Sequence, residues 1–68
     1  MDVVVCGVDE APPGFCVVKS VEELRRHLGR AFIVVVGDRR LAEELGVAYF
    51  SEEEWGDFLR WYAGVNNL

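Results

Sequence analysis

Phe32-Ile33-Val34-Val35-Val36-Gly37-Asp38-Arg39-Arg40-Leu41-Ala42-Glu43-Glu44-Leu45-Gly46-Val47-Ala48-Tyr49-Phe50 is the stretch whose reading decides the fold. Its first five residues are apolar without alternation, the pattern of a strand covered on both faces. Gly37 breaks the run and Asp38 is of a helix-capping type. Leu41, Ala42 and Leu45 then share one helical face until Gly46 stops the helix. Val47 to Phe50 reads as a further short strand. Strand, helix and strand in succession make a βαβ unit, whose two strands run parallel.

Outward from this unit the same grammar recurs. Val3 to Cys6 is a second unalternating apolar run, and Phe15 to Val18 a third. Ser20 followed by Glu23 is a capping box, Val21, Leu24 and Leu28 share a face, and Gly29 closes that helix. On its other face Glu22 with Arg26, and Glu23 with His27, are i,i+4 pairs. Ser51 with Glu54 is a second box, before Trp55, Phe58, Leu59 and Tyr62 at helical spacing. Gly56 costs that helix about 1 kcal/mol relative to alanine, and Val65 to Leu68 reads as a frayed tail.

The predicted fold class is α/β. Residues 1–68 form a small single domain with a three-layer-like fold, in the order β-β-α-β-α-β-α around a four-stranded, mostly parallel sheet. Pro12, Pro13 and Gly14 keep the eight residues Gly7 to Gly14 from holding a helix. Parallel crossovers usually take about a dozen residues or more, so the first strand is expected to be antiparallel, in a hairpin with the second. A non-adjacent placement of the two is the alternative. In the hairpin Cys6 and Cys16 face each other, and a disulfide there would contribute about 2–3 kcal/mol. The other reading makes them small buried hydrophobes.

Composition limits the function classes. At 68 residues there is room for one domain, and 51% apolar with 28% charged residues excludes intrinsic disorder. The longest apolar run, Phe32 to Val36, falls far short of the roughly 20 residues of a membrane span. No basic segment leads into a long apolar one, so no export signal is read and a cytoplasmic protein is expected. Twelve acidic against seven basic residues, a net charge of −5, argue against nucleic acid as a partner. Six arginines to one lysine, with no threonine or glutamine, hint at a GC-rich or thermophilic source.

Ligands of open α/β sheets bind beyond the carboxyl ends of the strands. At that position Arg39 and Arg40 occupy a first helical turn, where the macrodipole disfavours cations. An anion held by Gly37, Asp38, Arg39 and Arg40 would reconcile the placement. So would i,i+4 pairing of Arg39 with Glu43 and Arg40 with Glu44. Glu52, Glu53 and Glu54 are what a helix start favours, and their side chains diverge too far to share one ion. His27 has no nucleophile in view and pairs with Glu23. Two cysteines and one histidine are too few for a structural zinc site, and there is no GxGxxG or Walker motif, so no cofactor is expected. Trp61 is turned more than 90° from the apolar face of its helix. With its neighbour Arg60 it is a candidate interface.

Phe32 to Ala42, then Gly46-Val47 and Ser51-Glu52-Glu53, resemble the C-terminal half of PIN-like nuclease domains. The resemblance implies metal-dependent phosphodiester hydrolysis, with magnesium or manganese held by clustered carboxylates and Asp38 as the metal-site carboxylate. The hairpin would put Asp9 and Glu10 at the opposite end of the sheet from Asp38. From the residues themselves, the leading expectation is a non-catalytic α/β module acting on an unidentified protein partner or on a second copy of itself. Anion binding at Gly37 to Arg40 and a truncated PIN-like nuclease are the alternatives.

Overall fold

The computed structural model describes residues 2–66. Strands β1 (Val3–Cys6), β2 (Phe15–Val18), β3 (Phe32–Val36) and β4 (Ala48–Phe50) alternate with helices α1 (Val21–Arg26), α2 (Arg39–Leu45) and α3 (Glu52–Asn66) in the order β1-β2-α1-β3-α2-β4-α3. The strands form one sheet in the order β2-β1-β3-β4, and every neighbouring pair is parallel.

The expected antiparallel first strand is therefore overturned. Val3 pairs with Phe15 and Cys6 with Val18, in parallel register. The dozen-residue rule supposes a helix in the crossover. Here the strands are so short that the return along them is about 10 Å at a rise of ~3.3 Å per residue. Eight extended residues can reach about 27 Å. The loop at residues 7–14 also does the covering that a helix would do. Pro12 is buried, and Val8 and Ala11 pack on the core around Val5, Val34, Val36 and Trp55. The Phe15 N–H donates to the Pro12 carbonyl at 3.1 Å, turning the chain into β2.

The Cys6–Cys16 disulfide falls with the hairpin. Parallel register sets Cys6 beside Val18 and Cys16 beside Val4, on one face of the sheet but two positions out of step. Strand spacing and rise put such diagonal neighbours about 8 Å apart, beyond the reach of a disulfide. Both thiols are free, Cys6 buried and Cys16 exposed.

The sheet is covered on both faces, as its unalternating strands require. On one side Val4, Cys6, Val18, Ile33 and Val35 meet Leu24 of α1 and Ala42 of α2. On the other, Val5, Val34 and Val36 meet Trp55 of α3. Leu24 is fully buried, which contributes about 1.5–3 kcal/mol.

The helices end where local chemistry stops them. Ser20 accepts from the Glu23 N–H at 3.2 Å, and His27 is the C-cap of α1. Ser51 and Glu54 complete a reciprocal box, Glu54 N–H to Ser51 Oγ at 3.0 Å and Ser51 N–H to Glu54 Oε1 at 2.9 Å. Gly46 takes the left-handed conformation after α2. Val47 N–H reaches back to the Ala42 carbonyl and Gly46 N–H to Glu43, a Schellman closure. The frayed tail expected from Val65 is corrected at Val65 and Asn66, which belong to α3; Asn67 and Leu68 lie outside the described residues.

Candidate functional site

The chain leaves β1 toward β2 on one side, and β3 lies on the other. The carboxyl ends of β1 and β3 therefore form a switch point, where open parallel sheets leave a crevice. Parallel pairing also brings Gly7, Val8 and Asp9 to the same end of the sheet as Gly37 and Asp38. The expected separation of Asp9 and Glu10 from Asp38 is corrected accordingly.

Gly7 (φ +101°) makes the crossing of the two strand ends fit, since a Cβ there would stand 2.3 Å from the Val36 carbonyl oxygen. Asp9 is held outside by Lys19, whose Nζ donates to the Asp9 carboxylate at 2.7 Å and to the Val8 carbonyl at 3.2 Å. The hydrogen bond from Lys19, followed by its charge, holds the Asp9 carboxyl below the usual range. Burial, then the nearby charge of Asp38, push the Cys6 thiol upward. That environment is the reverse of what activates a nucleophilic cysteine.

Asp38 is committed locally, its carboxylate accepting the Leu41 N–H at 3.0 Å as the cap of α2. Arg39, whose position breaks the dipole preference, lies over the Tyr49 ring at 5.1 Å from its centroid. A cation–π contact thus accounts for one of the two arginines. Arg40 is exposed beside it. Glu52 and Glu53 are exposed at the start of α3, and Glu54 is spent on the capping box. Among the described residues no three histidine, cysteine, aspartate or glutamate side chains converge as a metal site.

Two open cavities run end to end between the loop and α3. The one at the switch point, about 370 Å³, is bordered by Asp9, Glu10 and Glu52 with Trp55 in its wall. The other, about 520 Å³, lies between Pro12, Pro13, Tyr62 and Ala63. Glu10 and Leu59 border both, so the two cavities adjoin there along α3. Trp55 is buried, and its Nε1–H has no hydrogen-bond acceptor among the described residues.

On the opposite flank of α3, Trp61 is 61% exposed and Val65, one turn on, 47%. Trp61 rests on Phe58 at 6.0 Å between ring centroids. Phe58 in turn touches Phe15, Phe50, Trp55 and Tyr62. Arg60 beside Trp61 is paired with Asp57.

No family model, curated protein or solved structure matches the chain.

Sequence reasoning named Gly37, Asp38, Arg39, Arg40, Arg60 and Trp61, set Asp9 and Glu10 apart from Asp38, and passed over Gly7 and the pairing of Asp9 with Lys19. The available signal for Gly7 was its place at the end of a fully apolar strand, but its demand on Val36 follows from β1 and β3 being neighbours. Asp9 and Lys19 are ten residues apart and meet because β1 and β2 run in the same direction.

Proposed function

We propose that this chain is a small, non-catalytic α/β module of the cytoplasm that works by protein–protein contact, including self-association, through the Trp61 flank of α3. The exposed indole of Trp61 carries the reading. A tryptophan 61% exposed, seated on a bed of aromatic rings and followed one turn on by exposed Val65, is a ridge of apolar surface with a rigid base. Tryptophan and arginine are the side chains most enriched at interface hot spots, and Arg60 stands next to it. Association is also a recognised way for a domain of this size to supplement a thin core. The free thiols of Cys6 and Cys16 suit a reducing compartment. Among the described residues no helix is long and apolar enough to cross a membrane.

The test is light scattering from micromolar to millimolar concentration on the wild type and on Trp61→Ala. The reading expects a mass that rises with concentration and stays monomeric in the variant, with circular dichroism unchanged. A wild type monomeric throughout that range overturns self-association.

A further inference from the structure

We propose that the groove between the residue 7–14 loop and α3 binds an extended peptide segment of a partner protein, with a lysine or arginine at one end and apolar residues along the rest. This surface lies on the flank of α3 away from Trp61, and the proposal goes beyond the self-association argued above.

Charge assigns one end. Glu10 and Glu52 border the switch-point cavity, and neither has an ion-pair partner among the described residues. Asp9 beside them is already held by Lys19. These two unpaired carboxylates attract a cation, and at this groove an acidic segment would meet like charge.

Shape and polarity assign the other end. Pro12, Pro13, Tyr62 and Ala63 line a cavity of about 520 Å³ with no charged side chain but Glu10, at its junction with the acidic end. Such a lining takes apolar side chains. From Glu52 to Ala63 the helix rises about 16 Å at ~1.5 Å per residue. That length matches about five residues of extended peptide at ~3.3 Å each. Trp55 stands in the wall between the two ends; its N–H is closed to solvent and is not offered to the ligand.

The experiment uses a positional-scanning library of N-acetylated, C-amidated pentapeptides, followed by amide-resolved NMR on the full chain. Pools with lysine or arginine at one terminal position and apolar residues behind it are expected to bind saturably. The shifts should be confined to residues 7–13 and 52–63. The Glu10→Gln/Glu52→Gln double variant should weaken the best pool tenfold or more, with Trp61→Ala leaving it unchanged. Should the double variant fail to fold, Ala63→Arg at an exposed helix position tests the apolar end, again with a tenfold loss expected.

Binding indifferent to the basic residue, binding through the basic residue alone, or shifts elsewhere would each overturn the proposal. So would the same shifts arising on concentrating the chain without peptide, which would make the occupant a second copy. Because Trp61→Ala reports on self-association and the glutamate variant on the groove, the failure of one reading leaves the other standing.

Discussion

The backbone of Gly7 passes so close to that of Val36 that a Cβ on Gly7 would stand 2.3 Å from the Val36 carbonyl oxygen. The contact joins the carboxyl ends of β1 and β3 and sets the floor of the switch point. Gly14, also at positive φ, has nothing within 4 Å of the same position. Gly7→Ala is therefore expected to cost more than about 3 kcal/mol and Gly14→Ala about 1–2 kcal/mol, since the second carries backbone strain without the clash. Urea unfolding of the two variants checks the difference. Equal losses would show that the strand ends can part without cost.

Leu24 is fully buried while Val21, one turn before it, is 38% exposed. Leu24→Ala should cost about 2–5 kcal/mol and Val21→Ala within about 0.5 kcal/mol of nothing. Thermal melts of the pair test whether α1 is held by this one side chain. In so small a domain the Leu24 variant is expected to be largely unfolded at 37 °C.

The Ser51–Glu54 box is reciprocal, whereas at Ser20 only the serine half is made. Ser51→Ala should cost about 1–2 kcal/mol and Ser20→Ala about 1 kcal/mol. A double-mutant cycle of Ser51→Ala with Glu54→Ala is expected to show a coupling of at least ~0.5 kcal/mol. Additive losses would mean that the two halves act separately.

Exposed Cys16 and buried Cys6 should react in order. Mass spectrometry after brief iodoacetamide treatment of the native chain is expected to find Cys16 alkylated and Cys6 intact until the chain is unfolded. The raised pKa of Cys6 also has a sign. Folding favours its neutral thiol, so this stability is complete below the unfolded thiol value and is lost as pH rises through the higher folded value. Cys6→Ala should flatten the alkaline limb of stability, and an unaltered limb would count against the burial argument.

Asp9 acts in the opposite direction. Its folded pKa is lowered by Lys19, so the contribution is present above the unfolded carboxylate value and is lost as pH falls through the folded one. Both partners are exposed, so salt should weaken the effect. Asp9→Asn is expected to remove it. Acid titrations of stability at low and high ionic strength, with and without the substitution, make the comparison.

Much of the local structure was legible because it rests on short-range chemistry. The unalternating runs Val3–Cys6 and Phe32–Val36 became strands buried on both faces, apart from exposed Phe32 and half-buried Val3 at their starts. The caps at Ser20, Asp38 and Ser51 formed as their spacing required. Trp55 went into the core and Trp61 stayed out, as a turn of 100° per residue dictates. The α1 signal overran its helix because His27 caps it early; Leu28 still reaches the core from the turn that follows.

Strand direction was decided elsewhere. Nothing within residues 7–14 says whether the loop doubles back as a hairpin or crosses the sheet, because both ends of the choice use the same turn residues. The crossing wins in the folded chain, where Val8, Ala11 and Pro12 can lie on Val5, Val34 and Trp55. That outcome parted Cys6 from Cys16, joined Asp9 to Lys19, and opened the groove beside α3. Periodicity and capping are written in neighbouring residues and can be read from the sequence by itself. The direction of β1 and everything lining the groove depend on which distant apolar surfaces bury one another, and only the tertiary structure decides that.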